Sequence, residues 1–143
     1  MDEKYMRLAL QEAERAADRD EVPIGAVIVS GGRIIASAHN LTETLSDPTA
    51  HAEMQAITSA CSTIGGKYLT DCTIYVTVEP CPMCAAALRW AQISTVVYGA
   101  SEPKSGYSTI SPQLLHPKTE VRSGILDEEC STKIREFFAA KRN

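Results

Sequence analysis

Apolar side chains early in the chain recur near helical spacing. Met6, Leu8, Ala9, Leu10, Ala13, Ala16 and Ala17 interleave with charged residues, which predicts a helix over residues 2–19. The pattern then shortens. Residues 22–29 and 33–38 read as strands, and Gly31-Gly32 between them supplies two positions tolerant of positive φ, as a tight antiparallel hairpin requires. After a polar stretch, Asp47-Pro48-Thr49 resembles a helix start, with Asp47 as the cap and Pro48 at the first helical position. That helix is predicted to run to Ile64-Gly65-Gly66.

The second half alternates between the two periods. Residues 73–78 read as a β-branched strand, 82–92 as an Ala-rich helix and 93–98 as another strand, which together make a β-α-β unit. Such a crossover makes its two strands parallel and right-handed, so the sheet is mixed. Residues 99–118 contain three prolines and two glycines around an apolar piece at 110–115, enough chain to return to a short fifth strand at 120–123. A last helix runs from Asp127 to about Lys141, with Cys130, Ile134, Phe137 and Phe138 near one face. The expected architecture is α/β: a three-layer α/β/α sandwich around a five-stranded mixed sheet.

Length sharpens this picture, since 143 residues at 44% hydrophobic content support one compact domain, expected to span residues 1–143. No apolar run reaches the roughly 20 residues of a membrane span. The opening Met1-Asp2-Glu3-Lys4 lacks a basic-then-apolar targeting pattern, so a cytoplasmic protein with no membrane partner is expected. Net charge is −4, whereas nucleic-acid binders are more usually basic. The charge is uneven, however: residues 1–21 carry seven acidic against four basic side chains, while 116–142 carry six basic against five acidic. A local basic strip toward the C-terminus and a solvated helix face both fit that asymmetry.

Five cysteines make an odd number, and two of them form Cys81-Pro82-Met83-Cys84, a spacing that favours metal or redox work over disulfides. The remaining Cys61, Cys72 and Cys130 are expected to be small buried hydrophobes. Three apart at a helix start, Cys81 and Cys84 can turn both sulfurs toward one ion, and the helix N-terminus favours the thiolate that binds metal. An upstream Thr49-Ala50-His51-Ala52-Glu53 adds a neutral nitrogen ligand, His51, and a carboxylate. His-Cys-Cys is one ligand short of a tetrahedron, which is the mark of a catalytic zinc open to water. Two thiolates cancel the charge of the ion and leave water less acidified, so a local base is needed, and Glu53 is placed to be one. Residues two apart on an ideal helix do not share a face, so His51 and Glu53 must converge at the helix end. A redox Cys pair needs neither His51 nor Glu53. A structural zinc needs a fourth ligand, for which His39, Cys72 and His116 qualify by residue type.

His51-x-Glu53 followed by Pro80-Cys81-x-x-Cys84 matches the pattern of zinc base deaminases. Around it, Val22-Pro23-Ile24-Gly25-Ala26-Val27, Asn40, Asp47-Pro48-Thr49-Ala50, Leu69 to Asp71, Tyr75-Val76-Thr77-Val78-Glu79, Gly124-Ile125-Leu126, Glu129-Cys130 and Phe137-Phe138 resemble the bacterial tRNA-specific adenosine deaminases, within the cytidine deaminase-like superfamily. The resemblance implies one zinc ion per subunit, a cytidine deaminase-like fold, a homodimer and a tRNA anticodon loop as partner, with wobble adenosine converted to inosine. It further implies Glu53 as the catalytic proton shuttle, Asn40 and Ala52 as substrate-binding residues, and Lys104, Phe137 and Phe138 as candidate RNA contacts. Of the two aromatics, one is expected buried and one exposed. Glu79 is expected to end a strand or support the site.

Departures fall in the loops. Cys84-Ala85-Ala86-Ala87 stands where Cys-Ala-Gly-Ala is frequent, Ser101-Glu102-Pro103-Lys104-Ser105-Gly106 where Asp-x-Lys-x-Gly is frequent, and Leu115-His116-Pro117 where Leu-Asn-His is common. Two alternatives stay open at this point. One is a deaminase of a free base or nucleoside, guanine first, which shares the zinc pattern and suits an acidic chain. The other is a zinc-stabilised binding module without catalysis.

Overall fold

The computed structural model describes residues 1–142. Four helices and five strands follow in the order α1 (Asp2–Asp18), β1 (Gly25–Ser30), β2 (Arg33–His39), α2 (Ala52–Ile64), β3 (Cys72–Val78), α3 (Pro82–Trp90), β4 (Thr95–Ala100), β5 (Glu120–Arg122) and α4 (Asp127–Lys141). The sheet order is β2-β1-β3-β4-β5. β1 is antiparallel to both β2 and β3, while β3, β4 and β5 are mutually parallel, which is the mixed sheet expected from the hairpin and the crossover. Among the described residues no helix is long and apolar enough to cross a membrane.

Alternation along the central strands divides the core between two faces. Ala26, Ile28, Ile74, Val76 and Val96 point toward α2 and α3, whereas Val27, Val29, Tyr75 and Val97 point toward α1 and α4. This makes the three layers. Ile28, Ile74, Leu88 and Ile93 are essentially without exposure, so truncating any one to Ala costs about 2–5 kcal/mol. α1 lies close on the sheet because its inner face is built from small residues: Ala9, Ala13 and Ala16 are wholly buried, and a Cβ on Gly25 would stand 2.1 Å from the Ala9 carbonyl oxygen.

Several boundaries differ from the pattern-based expectation. Residues 22–24 stay outside β1 because Ile24 N–H donates to the Val22 carbonyl at 2.8 Å, a tight turn centred on Pro23, and sheet pairing begins only at Gly25 opposite His39. The Gly31-Gly32 turn is as expected, with φ of 57° and 76°. α2 begins at Ala52 rather than near Pro48. Asp47 does cap, but it caps a turn: its Oδ1 accepts from both the N–H and the hydroxyl of Thr49 at 2.8 Å. The apolar piece at 110–115 forms one short 3-10 turn, Pro112–Leu114, with Leu115 buried and Ile110 exposed. Cys72 and Cys130 are buried as expected, but Cys61 is only half-buried, on the outer side of α2.

Candidate metal centre and substrate pocket

α2 and α3 start in the same way, and that shared geometry builds the centre. His51 is the N-cap of α2 with φ −72° and ψ 156°, and Cys81 is the N-cap of α3 with φ −71° and ψ 168°. An N-cap residue is extended and lies outside the helical spiral. The objection that His51 and Glu53 cannot share a face therefore disappears, because only Glu53 obeys helical spacing. Pro82 then occupies the first helical position of α3, where its missing N–H is no loss, and Cys84 projects from the first turn.

The two helix starts converge. His51 Nδ1 lies 3.6 Å from Cys81 Sγ and 3.6 Å from Cys84 Sγ. A tetrahedral zinc with ordinary Zn–S and Zn–N bonds would separate these atoms by about 3.6 Å, so the donor set fits the ion in both chemistry and spacing. Among the described residues, His51, Cys81 and Cys84 form the one such cluster, and Glu53 stands outside it. The candidates for a fourth ligand are engaged elsewhere: His39 Nδ1 lies 3.1 Å from the Asn40 carbonyl oxygen, His116 Nδ1 accepts from Lys118 N–H, and Cys72 opens β3 at Ser30. A structural zinc closed by four protein ligands does not form here, which removes the footing of the binding-module alternative.

The Cys81 thiol is pulled down to about 4 by a hydrogen bond from Cys84 and by His51, against the effect of burial. The same hydrogen bond, burial and the nearby Glu53 push Cys84 up. His51 is raised, first by its bond to Cys81. Glu53, only 4% exposed, is pushed up to about 7, chiefly by burial and also by the Cys81 sulfur.

A cavity of about 240 Å³ opens on this cluster, lined by His51, Ala52, Glu53 and Cys81 on the floor and by Val22, Ile24, Asn40, Thr42, Glu102 and Ser105 on its walls. It is smaller than the ~300–1,000 Å³ of drug-sized sites, a volume suited to a single base. Asn40 follows β2, is 6% exposed, has its N–H bonded to the Ile24 carbonyl and lines the cavity. Ala52 is the first residue of α2, where backbone N–H groups have no intrahelical acceptor. Glu79 directly follows β3, is 5% exposed and accepts from the N–H of Glu102 and from both the N–H and hydroxyl of Ser108. Gly106 lies against that carboxylate, where a Cβ would come within 2.4 Å. Glu79 is thus the support for the 102–108 wall.

The outer candidates are less tightly held. Lys104 is exposed on the 102–108 loop and does not line the cavity. Phe137 is half-buried and Phe138 is 41% exposed, so neither is buried. Their rings meet edge-to-face at 5.3 Å, with the Lys141 ammonium 5.5 Å from the Phe137 ring centre. They flank a groove of about 600 Å³ that shares Val22 and Thr42 with the metal-site cavity. Val22, Ile24, Thr42, Glu102 and Ser105 are wall residues the sequence reading missed. The only advance signal was the Val22-Pro23-Ile24 stretch, which reads locally as strand.

Comparison with known proteins agrees with this geometry. The family model of the cytidine and deoxycytidylate deaminase zinc-binding region matches residues 1–100. The tRNA-specific adenosine deaminase of Bacillus subtilis is 48% identical over 142 residues, covering 96% of this chain and 88% of that protein. A solved structure from biochemical and structural studies of A-to-I editing by tRNA:A34 deaminases superposes with a TM-score of 0.84 at 44% identity, over 91% of this chain and 98% of that one. The guanine deaminase structure from Bacillus subtilis is more distant, with a TM-score of 0.68 and 31% identity over 99% of this chain and 94% of that one.

Proposed function

We propose that this chain, which belongs to the cytidine and deoxycytidylate deaminase zinc-binding family, hydrolyses adenosine to inosine and ammonia at the wobble position of a tRNA anticodon. The observation that carries the reading is a three-residue metal centre, His51, Cys81 and Cys84, with a separate buried carboxylate at the floor of a base-sized cavity.

Zinc, when bound, supplies Lewis acidity that makes water a nucleophile near neutral pH. The chain does the rest. Glu53 takes the proton released by water as its oxygen bonds to C6 of adenine, and delivers it to the ring nitrogen N1. Glu53 then carries the second proton to the amino group, which departs as ammonia while the C6 oxygen becomes the inosine carbonyl. Burial suits this role, because a carboxyl whose proton affinity sits near neutrality both accepts and returns a proton readily. Val22 and Ile24 bring apolar contacts to the base, while Asn40 and the N–H of Ala52 offer it hydrogen bonds. Phe137, Phe138 and Lys104 provide stacking and charge for flanking nucleotides, as single-stranded RNA recognition uses them.

Residues 1–143 act as one deaminase domain with one zinc per subunit, working in the cytoplasm, where the five free cysteines stay reduced. The chain pairs as a homodimer. Support comes from a cavity of about 720 Å³ on the outer α2/α3 face beside Tyr68 and Trp90, which are 47% and 82% exposed, since such apolar surface seeks cover. Sedimentation at micromolar concentration is expected to give the mass of two chains, and a single-chain mass would contradict the pairing.

The substrate is tested by incubating zinc-loaded protein with an unmodified tRNA bearing a wobble adenosine, alongside free guanine, cytosine and cytidine. Inosine at the wobble position with matching ammonia is expected. Ammonia from guanine with no inosine in the RNA would overturn the substrate.

A further inference from the structure

Glu21 is a carboxylate the chemistry above does not use. It lies between α1 and β1 with no exposure, and among the described residues no Lys or Arg pairs with it. A buried charge survives only if its lone pairs are satisfied. Here four donors do so. Oε2 accepts from the N–H and the hydroxyl of Thr44, each at 2.6 Å, while Oε1 accepts from Glu43 N–H at 3.1 Å and from Asn40 Nδ2 at 3.4 Å. Burial raises its proton affinity, but the Thr44 and Glu43 hydrogen bonds outweigh burial and keep the carboxyl below its ordinary value.

An ionised carboxylate only accepts, so the face of the Asn40 carboxamide turned to Glu21 must be its NH₂ group. The Thr42 hydroxyl, 3.4 Å from Nδ2, takes the remaining proton. Asn40 Oδ1 is then the free end. No described side chain or backbone group donates to it, yet it is not a sealed, unpartnered atom, and Asn40 lines the metal-site cavity.

We propose that Glu21 is a positioning residue: it fixes the flip of the Asn40 carboxamide so that Oδ1, an acceptor, is presented to the substrate, and it pins residues 42–44 as the adjoining wall. This rests on the reading of Asn40 as a substrate contact. Its consequence for specificity is that Asn40 selects a hydrogen-bond donor of the nucleoside, a sugar hydroxyl or an exocyclic amine, and not a ring-nitrogen acceptor.

A charge exchange tests it. Glu21→Gln offers an amide N–H to residue 40 and so turns the Asn40 carboxamide over, whereas Asn40→Asp sets two carboxylates against each other. In the double variant, the amide introduced at position 21 donates to the carboxylate introduced at position 40, and an acceptor oxygen again faces the cavity. With wobble-adenosine stem-loop as substrate, each single variant is expected to lose about tenfold in kcat/KM, and the double variant to recover most of that loss. Zinc content and melting temperature are measured on all of them, because a merely structural Glu21 predicts losses that add and no rescue. A double variant no better than Asn40→Asp, or a folded, zinc-replete Glu21→Gln with unchanged kcat/KM, would overturn the proposal. Asn40→Ala separates the underlying reading: wild-type kcat/KM in that variant would show that Asn40 does not contact substrate, whatever Glu21 does.

Discussion

The starts of α2 and α3 face the metal-site cavity and the end of α4 flanks the adjoining groove, and the two regions are built on different principles. At the helix starts, His51, Cys81 and Cys84 are fixed by backbone: two residues are extended N-caps, the third lies in a first turn, and both helices pack on the central strands. At the end of α4, Phe137 and Phe138 lean on each other and on Lys141, which also pairs with Asp20 on the surface. The difference teaches where each kind of work is kept. Chemistry that needs sub-ångström placement sits on buried backbone, whereas contacts to a flexible RNA loop sit on side chains free to adjust.

Substitutions at the two regions should therefore separate kcat from KM. The largest effect is expected at the helix starts: Cys84→Ala removes a fully buried ligand, so zinc measured by atomic absorption should fall well below one per chain and inosine formation should drop more than about 100-fold. Glu79→Gln comes next, since it weakens three hydrogen bonds that hold the 102–108 wall. A loss of about 1.5–3 kcal/mol is expected by thermal melting, together with a raised KM. Phe138→Ala should raise KM for RNA about fivefold, the low end for an aromatic–base stack at a partly exposed site, and leave kcat alone. A fall in its kcat with KM unchanged would break the comparison.

The smallest effect is expected far from both regions. Arg122 holds Asp2, and its hydrogen bond is the main reason the Asp2 carboxyl lies below its ordinary 3.8, burial acting the other way. A lowered carboxylate contributes stability above its unfolded value and loses it as pH falls through the folded one. Arg122→Ala should therefore melt slightly lower than wild type at pH 7, by at most about 1 kcal/mol, and the two curves should converge under acid.

Much of this was legible in the chain itself. The β-rich runs at 22–29 and 73–78, the paired glycines and the Ala-rich crossover mark out the sheet, whose central strands are buried on both faces. The metal ligands were legible because their spacing is chemically restrictive. The start of α2 was not: Asp47-Pro48 suits a turn as well as a helix cap, and the choice is made by Leu41 N–H pairing with the Ala50 carbonyl, which local sequence does not contain. Nor was Glu21, one of seven acidic residues in the first 21, distinguishable from a solvated charge until the 42–44 segment folded over it. One of Phe137 and Phe138 was expected to be buried and neither is, because helical periodicity shows a face without showing whether anything covers it.

The central claim is a zinc held by three side chains and served by a separate base. It is tested most directly by single-turnover inosine formation on wobble-adenosine tRNA, comparing wild type with Glu53→Gln at measured zinc content. Equal zinc, one per chain, with a rate lower by about 10²–10⁴-fold in the variant is expected. Zinc lost in step with activity would make Glu53 a ligand, and an unchanged rate would remove it from the chemistry; either result would contradict the account.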